Sequence, residues 1–136
     1  MGHKDYSSTP LWKKLGLAPG CRVLLSGAPD GFRDVLLEGA PEIRLLSRAA
    51  GDLDVAVLFV TRLRELTERL PDLVPRMAPA GGLWVAWPKK ASGVGSEVDF
   101  GAVQAAGLEA GLVDNKSASV TEVFQGLRFV RRLADR

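Results

Sequence analysis

The stretch Gly82-Leu83-Trp84-Val85-Ala86-Trp87-Pro88-Lys89-Lys90 decides how this chain is read. Leu83 to Trp87 is a short, unbroken apolar run, the pattern of a buried strand. Pro88 ends it, because proline has no N–H to give to a ladder. Lys89, Lys90 and the small, polar Ala91-Ser92-Gly93-Val94-Gly95-Ser96 follow at once. Open α/β sheets bind ligands in the crevice outside the carboxyl ends of their strands. A buried strand opening into a cationic, glycine-bearing loop fits that position.

Working upstream, Val55-Ala56-Val57-Leu58-Phe59-Val60 is a second continuous, β-branched strand bounded by polar turns. Between the two strands, Leu63, Leu66, Leu70, Leu73 and Met77 recur at helical spacing, predicting a helix over 61–77. Pro71 and Pro75 predict a kink or break near Leu70, and Ala78-Pro79-Ala80-Gly81-Gly82 reads as the turn that closes the element. Further upstream lie a strand at Arg22–Ser26, a tight loop at Gly27–Gly31, a short helix at Phe32–Glu38 and a strand at Glu42–Leu46. Thr9-Pro10 predicts a helix start, with threonine as N-cap and Leu11, Trp12 and Leu15 on one face. Residues 1–8 read as a loose polar tail ahead of this 9–17 helix.

Downstream, Asp99 reads as an N-cap for a helix faced by Phe100, Val103, Ala106 and Ala110. An extended stretch from Leu112, a turn over 121–126 and an alternating strand from Leu127 to Arg132 close the chain. Parallel strands need helical crossovers, whereas strands joined by a turn pair antiparallel. The order predicts a three-layer, Rossmann-like α/β sandwich, mostly parallel, with an antiparallel C-terminal strand pair.

At 136 residues, 46% of them hydrophobic and 25% charged, the composition is that of one globular domain spanning 1–136. The formal charge is +2, and the basic residues are scattered as Lys13-Lys14, Arg62 with Arg64, Lys89-Lys90 and Arg131-Arg132. Dedicated nucleic-acid binding is not expected from that distribution. Cys21 and His3 are the only residues of their types, so zinc sites built from cysteine and histidine are excluded and a serine–histidine–acid triad is not expected. No metal site is predicted. No apolar run reaches the length of a membrane span and no signal-peptide core is visible, so the expected location is cytoplasmic.

The closing antiparallel pair resembles that of class I methyltransferase-like Rossmann folds. So do the strand from Asp54, the amphipathic helix, the run Ala78–Val85 and Ala110-Gly111-Leu112-Val113. The resemblance covers roughly residues 18–134 and implies a compact version lacking one strand–helix unit, with sheet order 2-1-3-4-6-5. Tyr6-Ser7-Ser8-Thr9-Pro10-Leu11, Lys13-Lys14-Leu15-Gly16 and Trp87-Pro88-Lys89-Lys90-Ala91-Ser92-Gly93 are similar to the bacterial domain-of-unknown-function family 3052, a name that implies no activity.

The methyltransferase resemblance implies a cofactor loop after the first strand and an acid ending the second. Gly27, Asp30 and Gly31 stand in that loop, but Pro29 removes a donor and stiffens it. The second strand ends at Ser47-Arg48 instead of an acid. S-adenosylmethionine is therefore not expected, and no other cofactor is predicted. Asp30 reads as a cap for the following helix. The stronger ligand candidates are Lys89, Lys90 and Ser92, joined by Thr61 and Arg62 at the end of the neighbouring strand, as a clamp for a phosphate or carboxylate.

The favoured reading is a binding or regulatory module with a degenerate cofactor site, taking a small anion or a protein partner, and more a non-enzyme than an enzyme. Two rivals stay open: a small methyltransferase-like transferase using the same sheet edge, and a protein–protein adaptor using Tyr6 to Leu17. The ligand, the partner and the oligomeric state are not specified by the sequence.

Overall fold

The computed structural model describes residues 9–136; the predicted loose tail, with His3 and Tyr6, lies outside the described residues. A first short helix, α1 (Leu11–Lys14), leads to strand β1 (Arg22–Ser26), helix α2 (Phe32–Leu37) and strand β2 (Arg44–Leu46). Strand β3 (Leu53–Phe59), helix α3 (Leu63–Leu73), strand β4 (Met77–Pro88) and helix α4 (Phe100–Glu109) follow. Strands β5 (Leu112–Ser119) and β6 (Phe124–Arg131) form the closing hairpin. The six strands make one sheet in the order β2-β1-β3-β4-β6-β5, parallel from β2 to β4 and antiparallel in β4–β6–β5. This is the expected order and the expected mixture.

Strand alternation divides the core into two layers. Leu58, Leu83, Val85, Trp87, Leu127 and Phe129 face α3 and α4. Val23, Val55, Val57, Phe59, Trp84 and Ala86 face α1 and α2. Trp84 and Trp87, three positions apart, thus enter opposite layers, and both are buried. The Trp84 indole N–H donates to the Leu15 carbonyl at 3.1 Å, tying the end of α1 to the middle of the sheet.

Four local expectations need correction. The first helix is capped at Pro10 rather than Thr9, with no side-chain cap bond. α3 passes through Pro71 without interruption and ends at Leu73, where Val74–Arg76 tighten into a 3-10 turn. Pro71 is exposed, so the carbonyl it leaves unpaired one turn back faces solvent. The predicted turn at 78–82 belongs to β4. Pairing jumps from Leu53 opposite Met77 to Val55 opposite Gly82, so the extra residues bulge out of the ladder. Gly81 makes the bulge possible, since a Cβ there would lie 2.5 Å from the Leu53 carbonyl oxygen. Finally, α2 is capped by Gly31 at φ 83°, and Asp30 gives it no side-chain bond. No helix among the described residues is long and apolar enough to cross a membrane.

Candidate functional site

All four parallel strands end on one edge of the sheet, so Ser47, Gly27, Val60-Thr61 and Pro88-Lys89 lie along it in spatial order. The chain leaves β1 toward β2 on one side and returns as β3 on the other. The crevice between β1 and β3 is therefore the switch point, where this architecture binds ligands.

Gly27 sits at that point with φ 71°, a left-handed conformation that favours glycine. A Cβ on it would lie 3.0 Å from the Phe59 carbonyl oxygen and 3.2 Å from a guanidinium nitrogen of Arg69. The loop backbone here packs directly against the end of β3, and Arg69 reaches over it from α3. Beside it is a cleft of about 280 Å³ walled by Ser26, Ser47, Arg48, Arg69 and Asp72. On the α2 side of the same loop, a second cavity of about 500 Å³ is lined by Asp30, Gly31, Phe32 and Phe124 among others.

The cations expected to converge on one anion are differently disposed. The Lys89 ammonium donates to Ser119 Oγ at 2.7 Å and to the Thr121 carbonyl at 2.9 Å, fastening the β5–β6 hairpin to the end of β4. Ser92 Oγ donates to the Lys89 carbonyl at 2.6 Å and accepts from the Val94 N–H at 3.2 Å, closing the turn after Lys90. Lys90 is exposed and borders a cavity of about 800 Å³, along with Trp87, Phe100 and Gln125. Thr61 and Arg62 border a separate hollow of about 440 Å³ with Ser96 and Glu97.

The start of α3 is already supplied with carboxylates. Glu65 accepts from the Thr61 N–H at 2.9 Å and the Arg62 N–H at 3.0 Å, and Glu97 accepts from the Leu63 N–H at 3.1 Å. The Thr61 N–H, and after it the Arg62 N–H and the charge of Arg69, hold the Glu65 carboxyl below its ordinary value of 4.5, against the opposing effect of burial. A carboxyl depressed in the fold stabilises it above the unfolded value and loses that contribution as pH falls through the folded value. Glu65→Gln is therefore expected to cost about 1 kcal/mol at neutral pH, the size of a helix-cap bond. Urea titrations should show the gap between variant and parent closing as pH falls below the ordinary value of 4.5.

The sequence reading set Gly27 in this loop and did not bring Arg69 or Ser47 to it. Neither carries a motif, and only the packing of α3 over β1 brings Arg69 to the loop.

No family model matches the chain, and no curated protein matches it. Solved structures do. A protein assigned to the type 11 methyltransferases, from Sulfolobus solfataricus, superposes with a TM-score of 0.65 at 14% identity, covering 98% of this chain and 95% of that one. Magnesium protoporphyrin IX methyltransferase from Synechocystis, with bound S-adenosylmethionine, gives a TM-score of 0.61 at 11% identity over 84% of this chain and 71% of that one. A TehB-like S-adenosylmethionine-dependent methyltransferase from Corynebacterium glutamicum gives 0.58 at 12% identity over 89% and 85%. The expectation against S-adenosylmethionine is thereby corrected: this is the fold that holds it in the Synechocystis structure. The chain has a methyltransferase-like Rossmann fold.

Proposed function

We propose that the chain is a methyltransferase-like transferase module that binds S-adenosylmethionine in the crevice over Gly27. The single observation that carries the reading is Gly27 itself, a left-handed glycine at the switch point, packed so closely against the Phe59 carbonyl and the Arg69 guanidinium that a side chain would not fit. The donor set beside it suits the cofactor's parts. In this reading Arg69 would take the amino-acid carboxylate and the Ser26 and Ser47 hydroxyls the ribose, all three lining the one cleft. When bound, S-adenosylmethionine supplies an electrophilic methyl group on a sulfonium centre. Glu65 holds the backbone of Thr61 and Arg62 and so fixes the end of β3 next to the crevice. The cavity by Lys90 lies on the same edge, with Trp87 and Phe100 meeting edge-on at 6.3 Å between ring centroids. It is roomy enough for a small acceptor.

A second reading keeps the same edge for a small anion held at Lys90, without catalysis, with Thr61 and Arg62 bordering a separate hollow on that edge. It is favoured by the size of the Lys90 cavity, about 800 Å³ against about 280 Å³ for the cleft at Arg69.

Thermal melts of the full chain with S-adenosylmethionine, S-adenosylhomocysteine and inorganic phosphate separate the two. A ligand at one hundred times its Kd stabilises by about 2.7 kcal/mol, or roughly 5–10 °C for a domain of this size. The first reading expects that shift with both adenosyl compounds, lost in Arg69→Glu and kept in Lys90→Ala. A shift from phosphate alone, lost in Lys90→Ala, would replace it with the second.

A further inference from the structure

The basic residues look scattered along the chain, but the fold lines five of them up. Lys89 and Lys14 meet at Ser119, the first on its hydroxyl at 2.7 Å and the second on its carbonyl at 3.4 Å. The Lys116 ammonium donates to the Lys14 carbonyl at 3.2 Å. Lys116 is the register partner of Arg128 across the β5–β6 ladder, so their side chains share the α1 face of the sheet. Arg128 is close enough to Arg136 for the two charges to repel.

The row runs from the ligand edge, across β5 and β6, to the C-terminal end of the chain. Arg128 lies flat on the sheet because Gly82 beneath it has no side chain; a Cβ there would meet its guanidinium at 2.5 Å. None of the five pairs with a carboxylate among the described residues, where the one ion pair is Arg64–Glu68 on α3. The hydrogen-bond partners of these lysines are carbonyl and hydroxyl oxygens, which carry no formal charge.

We infer that this row is a track for the phosphate backbone of a single-stranded nucleic acid. Single-strand binders follow the backbone with a positive groove, and the planar fork of arginine matches phosphate oxygens two at a time. An acidic peptide fits the row less well. A peptide adding to the sheet would run along the open edge of β5 and meet Lys116, while the row crosses that strand direction to reach Arg128 and Arg136. The track is independent of the cofactor reading, although it leads to the same edge.

The test is fluorescence anisotropy of the full chain with labelled single-stranded RNA and DNA of mixed sequence, and with oligoglutamate of equal charge. Each neutralised phosphate contributes about −0.7 to the salt slope on a single strand. Four or five contacts therefore predict a slope near −3 and roughly a 60-fold weaker association on raising salt from about 50 to about 200 mM. Lys116→Glu, on an exposed strand position, and Arg128→Gln are each expected to weaken binding about 5- to 10-fold and to flatten the slope. Arg64→Gln, in the opposite layer, should leave both unchanged. The absence of saturable binding at low salt, or equal binding by the Lys116→Glu/Arg128→Gln double variant, overturns the track. Oligoglutamate binding as tightly as the oligonucleotides, with loss in the same variants, assigns the row to an acidic protein instead and overturns the nucleic-acid inference.

Discussion

Trp84→Ala is expected to cost about 3–5 kcal/mol, the range for removing a large aromatic side chain from a packed core. Trp84 is 0% exposed, in the middle of the central strand β4. Its ring edge lies against the backbone of Gly126, where a Cβ would come within 3.1 Å of it. Its N–H also serves the carbonyl of Leu15, at the end of α1. Alanine would thus open a cavity and leave a carbonyl in a buried region without its donor. For a domain whose whole stability is about 5–15 kcal/mol, the urea midpoint should fall by about 2 M. Trp84→Phe separates the two losses. It keeps most of the packing and removes the indole donor with a smaller loss of ring volume than alanine, at an expected cost of about 1–3 kcal/mol. Equal midpoints for Trp84→Ala and the parent would contradict the two-layer core.

Gly107→Ala should destabilise the protein by about 1–3 kcal/mol, the usual penalty for overpacking. The sign is the informative part. Within a helix, glycine to alanine ordinarily stabilises by about 1 kcal/mol. Gly107 is buried in α4, and an added Cβ would overlap the ring of Phe129 on β6. The helix lies so close to the sheet that only glycine fits. Gly101, one and a half turns earlier in α4, is exposed, and the nearest neighbour of an added Cβ is Asp99 Oδ1 at 3.6 Å. Gly101→Ala is expected to stabilise by up to about 1 kcal/mol. Opposite signs in denaturant titrations of the two variants confirm the seating of α4 on β6. The same sign in both would show that the helix packs differently.

The strands were legible because their apolar runs are short, continuous and bounded by breakers, as at Leu83–Trp87 and Val55–Val60. The Asp99 cap was legible for a local reason: its carboxylate reaches the Ala102 N–H, three residues on, at 2.9 Å. What failed to show was non-local or disguised. Ala78-Pro79-Ala80-Gly81 has the composition of a turn, and only its pairing with Leu53 and Val55 reveals a bulged strand. Lys89 looks like a free loop cation until the hairpin brings Ser119 and Thr121 to its ammonium. The left-handed conformation of Gly27 in the first loop, φ 71°, has no signature in the sequence beyond the glycine itself. Arg69, seven positions into α3, reaches Gly27 only through helix packing. The cationic row combines α1, β4, β5, β6 and the C-terminus, so no window of sequence contains it.

The claim on which the account rests is that the crevice beside Gly27 receives an adenosyl cofactor. Titrating the isotopically labelled chain with S-adenosylhomocysteine and following its backbone amides by NMR tests this most directly. Saturable shifts centred on Ser26, Gly27, Ala28, Ser47 and Thr61 are predicted, with the Arg69 side chain among the perturbed signals. Shifts confined to the Lys90–Val98 loop, or none at millimolar ligand, would contradict it.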